Sequence, residues 1–367
     1  MSISQDPIDL FEAVLDTPAL LLDLDRMEAN IAHIARVCRE RGVTWRPHVK
    51  VHKSPEIAQK ELDGGAIGIT CAKLGEAEVM AAAGIRNILI ANQIVGSIKI
   101  GRLVELLNRA EPIVAIDSSE NISELAAAMQ KHGKILKVVI EVNVGMNRAG
   151  VEPGASAVML ANEVARHGGL RLVGLMAWES HAVTLADPAE KSNAVARAIG
   201  RLTATAEECR KLGHSMEIVS CGGTGTFPYC VQQRGVTEVQ IGGGIFSDEH
   251  YRTHYHIDIP CALTLLATVT SRPTPTRIIL DAGKKAMSSD AALPRPLGLP
   301  GVSSLRLSAE HATIELAEAS AAPRVGDRLQ LVLGYSDTTI HLHEQIVALR
   351  RGRVEAVWNV AARGKIK

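Results

Sequence analysis

Charge of one sign does not dominate this sequence: 40 basic residues meet 40 acidic ones. A nucleic acid or other polyanion is therefore not expected as a partner, because holding one takes a basic stripe or patch. Paired cysteines are missing too. Cys38, Cys71, Cys209, Cys221, Cys230 and Cys261 are scattered, with no C-x-x-C pair and no regular framework. That spacing excludes a disulfide scaffold and predicts reduced thiols, most of them in the core. No stretch approaches the roughly 18 uncharged apolar residues of a membrane span. The opening "MSISQDPIDLFEAV" has no basic region followed by an apolar block, so no secretory signal is expected. Solenoid repeats and low-complexity tracts are also lacking. What remains is a soluble, cytoplasmic, enzyme-sized chain of 367 residues, enough for one large domain with an addition or for two.

What the sequence does contain is a short apolar run followed by an alanine-rich amphipathic segment, many times over. The runs lie at 44–50, 66–71, 87–92, 112–117, 137–143, 172–178, 217–222 and 237–242. Segments such as "LGEAEVMAAAG" and "NISELAAAMQKHG" stand between them and end in glycine, as helix C-termini often do. Eight strands alternating with helices favour a closed parallel (β/α)8 TIM-type barrel over an open doubly wound sheet. After about residue 260 the helical segments stop. "ALTLLATVTSR", "TRIILDAG", "DRLQLVL", "TIHLHEQIVALRRG" and "RVEAVWNVAARG" are strand-like runs divided by turn residues, so an all-β module is expected there. The early run "PALLLDLD" (18–25) precedes the barrel strands and suits pairing with that module. The expected division is 1–26 with the β module, 27–250 as the barrel, and 251–367 as the C-terminal β domain.

In such barrels the chemistry sits at the C-terminal ends of the strands. The polar residues fall there: His48 and Lys50, Cys71, Asn92, Asp117, Asn143, Trp178 to His181, and Ser220 with "GGTGT". In "RPHVKVHK" (46–53), apolar positions alternate with basic ones, which reads as a strand with its polar side chains on one face. Basic groups crowded there repel unless something anionic lies among them. Lys50, desolvated in a barrel mouth, suits a Schiff base with a carbonyl; its alternative is an ion-paired lysine. "SCGGTGTF" (220–227) and "QIGGGIF" (240–246) follow the seventh and eighth strands, the usual phosphate position of such barrels; the alternative is a pair of tight turns. A reactive lysine and a phosphate cradle across one mouth suggest pyridoxal 5'-phosphate. Arg148, in "VNVGMNRAGV", offers a donor fork to the cofactor's phenolic oxygen or an adjacent anion, or is a surface turn residue.

Together "TPALLLDLDRMEANI", "RPHVKVHKSPEIA", "GMNRAGV", "SCGGTGT", "DAGKKAMSSD", "SAEH" and "ARGK" resemble the D-threonine aldolase and D-serine dehydratase family of fold-type III pyridoxal-phosphate enzymes, related to alanine racemase. The resemblance runs over nearly the whole chain in consistent order. It implies a cofactor-bearing barrel, a C-terminal β domain, a homodimer, and Lys50 as the Schiff-base lysine. It also implies that Arg148 contacts the cofactor and that the Gly222, Gly223, Thr224, Gly225 and Thr226 loop holds its phosphate. His48, Trp178, Ser220 and Gly242 complete the expected cofactor-binding set, with Lys53 as supporting charge. His181, three residues after Trp178, is the expected acid/base. His311, in "SAEH", is a further candidate on a β domain that in this family covers the active site.

Two positions depart from the family pattern: Trp178 stands where the aldolase branch carries a tyrosine, and the second lies at the metal site. Family members place a divalent metal (Mn, Mg or Zn) near the C-terminus on a histidine and, two residues on, an aspartate or cysteine; here Asp337 stands but Tyr335 replaces the histidine. A neutral phenol is a poor ligand compared with imidazole. His341 and His343, sharing one face if they lie on a strand, are candidates for a displaced ligand. The implied reaction is aldol cleavage of D-3-hydroxy amino acids to glycine and an aldehyde. Alternatives are dehydration of D-serine or D-threo-3-hydroxyaspartate to a 2-oxo acid and ammonia, a non-catalytic pyridoxal-phosphate protein, and racemisation.

Overall fold

A computed structural model describes residues 15–367; the "MSISQDPIDLFEAV" reading and most of the 1–26 segment lie outside these. Two compact units divide the chain. One comprises residues 33–50, 55–242 and 364–367, the other residues 15–32, 51–54 and 243–363. Residues 51–54 count with the second unit and residues 364–367 with the first. Ahead of the barrel strands come β1 (Ala19–Asp23) and α1 (Leu24–Glu40).

The first unit is a parallel eight-stranded barrel. Its strands are β2 (Thr44–Trp45), β3 (Ile69–Cys71), β4 (Asn87–Gln93), β5 (Glu111–Ile116), β6 (Leu136–Glu141), β7 (Leu170–Met176), β8 (Ile218–Cys221) and β9 (Glu238–Val239). The hydrogen-bonded order runs β2-β9-β8-β7-β6-β5-β4-β3. The two ends then meet: Ile67 donates its amide to Trp45 O at 2.9 Å, Thr70 to Pro47 O at 2.7 Å, and His48 forms a parallel bridge with Thr70. Strands covered on both faces read as unbroken apolar runs: β5 and β6 are buried almost throughout, β4 at Ile88 to Ile90 and β7 from Val173 to Met176. Leu89, Ile113, Ala115, Val139, Val173 and Met176 pack as one cluster across them.

The helices between are α2 (Pro55–Asp63), α3 (Leu74–Ala82), α4 (Ser97–Leu106), α5 (Ser119–Lys131), α6 (Ala155–Arg166), α7 (Pro188–Lys211) and the short α8 (Phe227–Cys230). Local sequence sets their ends. Asp187 caps α7 by accepting the amides of Ala189 and Glu190 at 2.9 and 2.8 Å, and Pro188 takes the first turn, where a missing N–H costs nothing. Ser118 caps α5 through Asn121 N. Ala194, Val195, Ala198, Ile199, Leu202, Ala206 and Cys209 form the buried stripe of α7 at helical spacing.

In the second unit the strands are β10 (Leu263–Thr274), β11 (Arg277–Leu280), β12 (Arg295–Pro296), β13 (Val302–Leu307), β14 (Ala312–Leu316), β15 (Arg328–Val332), β16 (Gln345–Arg350) and β17 (Arg353–Asn359). They pair in the order β13-β14-β11-β10-β1-β16-β17, with β15 beside β10 and β12 beside β15. Strand β1 is antiparallel to β10 and parallel to β16, so Leu20, Leu21 and Leu22 are wholly interior. Two short helices, α9 (Glu249–Thr253) and α10 (Ser336–Thr339), belong to this unit. All six cysteines are buried and unpaired. No helix among the described residues is long and apolar enough to cross a membrane.

Two local expectations fail. The stretch 46–53 is not a strand: β2 ends at Trp45, and Val49–Val51 is a 3-10 turn. Its basic groups consequently scatter, with Arg46 and His52 buried, His48 and Lys53 half-buried and Lys50 exposed. His341 and His343 do not share a strand face either, because α10 runs into a 3-10 turn at Ile340–Leu342 and β16 begins only at Gln345.

Candidate active site

Several of the expected residues meet in pairs past the C-terminal ends of the barrel strands: His48 with Gly242, Trp178 with Gly223, and His181 with Gly145. At β2, Trp45 Nε1 donates to Ile241 O at 2.9 Å, which ties the chain after β9 to the first strand. Gly242 then runs against His48 so closely that a Cβ there would lie 2.4 Å from His48 O. Lys50, two residues on, turns its amide toward His48 Nδ1 at 3.5 Å and is exposed rather than desolvated. The anion beside Arg46 is internal: its Nε donates to both Glu238 oxygens at 3.1 Å, and the pair is almost fully buried, at 3 % and 2 % exposure. Arg46 also reaches Asn87 Oδ1 at 2.7 Å. That arginine is a structural element of the barrel, not a binding group.

Past β8 the loop 222–226 turns through Gly222 at φ +75°, a left-handed conformation that suits glycine. The loop's donors divide. Gly222 N–H is given to Glu179 Oε2 at 3.3 Å and Gly223 N–H to Thr226 Oγ1 at 3.3 Å. The amides of Thr224 and Gly225, both buried residues, and of Gly242 donate to no group among the described residues. Trp178 lies over the loop: a Cβ on Gly223 would come within 2.5 Å of its ring. Ser220 accepts from Gln240 Nε2 at 2.8 Å.

The loop after β6 carries Arg148. Asn143 organises it, its Oδ1 accepting the amides of Gly145 and Asn147 at 3.1 Å each. Asp117, at the end of β5, accepts Gly150 N–H at 3.1 Å. Arg148 is exposed, with its guanidinium 3.8 Å from Glu141. Burial holds the Glu141 carboxyl above the usual range, against the pull of Gln93 and Arg148. His181, in a 3-10 turn after β7, is exposed and lies against Gly145.

Glu179 is the residue sequence reasoning missed. It is fully buried, and its carboxyl accepts from Thr226 Oγ1 at 2.5 Å, Gly222 N and Cys230 Sγ. Burial pushes it above the usual carboxylate range. An acid in "AWESH", immediately past a barrel strand, was the available signal.

The second unit holds Tyr335 and Asp337. Tyr335 packs edge-on against His250, centroids 4.8 Å apart, and near Tyr251 at 5.9 Å. Tyr251 donates its hydroxyl to Asp337 Oδ1 at 3.0 Å. Burial first, and then the neighbouring Asp337 carboxylate, drive Tyr335 and Tyr251 well above the usual phenol range. His343 is committed to Ala286 O at 2.6 Å, whereas His341 is exposed. His311 lies in the exposed turn between β13 and β14, beside the 2.7 Å ion pair of Lys285 with Glu310.

Residues 22–250 match the alanine racemase N-terminal domain, and residues 262–349 a serine dehydratase domain. D-threonine aldolase from Arthrobacter sp is 36 % identical, over 96 % of this chain and 94 % of that protein. The chain belongs to the D-threonine aldolase and D-serine dehydratase family. Within that family, 3-hydroxy-D-aspartate aldolase from Paracoccus denitrificans (strain Pd 1222) is 35 % identical over 96 % of this chain and 94 % of its own. The crystal structure of D-threonine aldolase from Filomicrobium marinum superposes with a TM-score of 0.93 at 35 % identity, covering 99 % of this chain and all of that one. Membership in the aldolase and dehydratase family implies the alanine racemase-like fold type III and pyridoxal 5'-phosphate as cofactor.

Proposed function

We propose that this protein is a pyridoxal-phosphate-dependent lyase that cleaves D-3-hydroxy amino acids to glycine and an aldehyde. The observation that carries this reading is full-length similarity to D-threonine aldolase and 3-hydroxy-D-aspartate aldolase, joined to a lysine at the mouth of a barrel that also presents unbonded amides. The residues fit the cofactor. Lys50 is exposed, as imine formation requires, and the amides of Thr224, Gly225 and Gly242 have no acceptor among the described residues, which suits an anion. When bound, the cofactor supplies an electrophilic aldehyde and a conjugated ring that takes up an electron pair from Cα.

The chain's own residues do the rest. Lys50 is the amine that would hold the cofactor through its aldehyde and would give way to the substrate amine. Arg148 would offer a positive charge to the cofactor's phenolic oxygen, and Trp178 covers the loop that would take its phosphate. His181 removes the proton from the substrate β-hydroxyl, so that the C–O bond closes to the aldehyde carbonyl as Cα–Cβ breaks, and Lys50 or water returns a proton to Cα.

The divalent cation that the family pattern implies does not fit the donor set here. Metal ligation needs deprotonated or lone-pair donors, whereas Tyr335 is a neutral phenol and one Asp337 oxygen already accepts the Tyr251 hydroxyl. Losing hydroxide directly, as a dehydratase must, calls for an electrophile on the leaving oxygen, so the same donor set favours aldol cleavage. We further propose a homodimer, as the family resemblance implies, and a cytoplasmic location, which six buried, unpaired cysteines suit.

The deciding experiment incubates the purified protein, loaded with cofactor, with D-threonine, D-phenylserine, D-3-hydroxyaspartate and D-serine. Glycine plus aldehyde is expected. Ammonia plus a 2-oxo acid would replace the aldolase reading with the dehydratase one, and neither product would leave a non-catalytic cofactor carrier.

A further inference from the structure

Glu179 has no part in the steps above, yet its position is costly. A carboxyl with zero exposure loses its hydration, and such a group persists where its hydrogen bonds organise something. Its donors all come from one place. Thr226 Oγ1 at 2.5 Å and Gly222 N at 3.3 Å are the last and first residues of the loop 222–226, and Cys230 Sγ at 3.3 Å lies in the helix that follows. Thr226 Oγ1 in turn accepts Gly223 N–H. One acid thus closes the loop at both ends and draws the amides of Gly222 and Gly223 inward. Between the anchors, the amides of Thr224 and Gly225 have no protein acceptor among the described residues.

Among the described residues, the titratable groups facing this carboxyl are the thiols of Cys221 and Cys230. Those two sulfurs and the carboxylate lie within 4.8 Å of one another, which is also a metal-ligand spacing. Both Glu179 oxygens, however, already accept hydrogen bonds from the loop and the helix, and a set of donors and acceptors that satisfies itself has no need of an ion.

We propose that Glu179 is the positioning residue of the anion cradle, clamping both ends of the 222–226 loop so that the Thr224 and Gly225 amides are held ready for the cofactor's phosphate. The inference rests on the cofactor assignment above and deepens it. Because Glu179 acts on the phosphate end and Lys50 on the aldehyde end, its loss should separate two affinities that a general structural defect would lower together.

The test compares pyridoxal 5'-phosphate with pyridoxal, which lacks the phosphate, as ligands of the resolved full-length protein. Wild type, Glu179→Ala, the milder Glu179→Gln and Thr226→Val are titrated by absorbance. Glu179→Ala should weaken pyridoxal-phosphate binding by about tenfold to a hundredfold, the range found when a supporting partner of a ligand site is removed, and leave pyridoxal affinity unchanged. Thr226→Val should move in the same direction, and Glu179→Gln less, since its amide oxygen still accepts one donor. Equal loss of both ligands in the folded variants, or wild-type affinity for pyridoxal phosphate in Glu179→Ala and Thr226→Val, overturns the proposal. If wild type itself binds neither ligand, the cofactor assignment falls and the proposal falls with it.

Discussion

Gly145 and His181 are in direct apposition: a Cβ at position 145 would lie 2.9 Å from the imidazole Cε1 and 3.2 Å from Nε2. The glycine sits at φ +131°, a conformation side chains rarely adopt. Gly145→Ala therefore has to push the imidazole aside or distort the Asn143-organised loop. If His181 is the base, a displacement of about 1 Å costs on the order of 10²-fold in turnover. Steady-state cleavage of D-phenylserine by Gly145→Ala should show that loss in kcat, while cofactor absorbance stays at the wild-type level. An unchanged kcat would remove His181 from the mechanism.

Lys50 is the exposed residue of a 3-10 turn whose Val49 and Val51 are buried, held by a backbone whose position depends on the close approach of Gly242 to His48. Lys50→Ala should abolish the near-visible absorbance of the bound cofactor and lower turnover by about 10³-fold or more, since no other amine takes over covalent catalysis. Retention of the band would move the imine to another lysine. Gly242→Ala should weaken the same band without deleting the amine, because the clash is with backbone, which has nowhere to go.

Much of this architecture is legible in the sequence, for identifiable reasons. The barrel strands are continuous apolar runs because both of their faces are covered, and the stripe of α7 repeats at helical spacing. The stretch 46–53 misleads because apolar and basic residues alternate for a different cause: Arg46 turns inward to Glu238, 192 positions along the chain, and the backbone tightens into a 3-10 turn immediately after. Glu179 left no periodic trace. Its significance arises only from Gly222 and Thr226, 43 and 47 residues later, which fold back over it. "SDTTIHLHE" combines β-branched residues that suit a strand with a serine and aspartate that suit a helical turn, and the contacts of Ser336 with Asp248 decide for the turn.

At Tyr335 the structure carries a prediction about metal removal. The phenol is packed against His250, and Asp337 is occupied by Tyr251. Exhaustive chelation should leave cleavage activity unchanged, and the purified protein should hold no stoichiometric Mn, Mg or Zn by elemental analysis. Tyr335→His restores imidazole next to a carboxylate and should bind Zn or Mn measurably by calorimetry. Loss of activity on chelation, restored by added metal, would show that other groups supply the ligands.

Asp248 supplies the pH prediction. The residue is fully buried and accepts Ser336 N at 2.7 Å, Ser336 Oγ at 2.6 Å and Tyr251 N at 2.9 Å. Desolvation outweighs those three donors and raises its carboxyl to about 7. An acid whose folded value lies above its unfolded one binds a proton in the native state that the unfolded chain has already released. Between about pH 4 and pH 7 its contribution to stability accordingly falls as pH rises, by up to about 1.4 kcal/mol per unit, and it is level above that window. Asp248→Asn cannot titrate, and with only one acceptor oxygen it leaves one of the three donors unmatched, so near pH 4 it should be the less stable of the two. The gap between wild type and Asp248→Asn in denaturant midpoint should therefore be widest near pH 4 and narrow steadily toward pH 7. A gap that widens over the same range would mean that the three donors prevail and the carboxylate is ionised in the native protein.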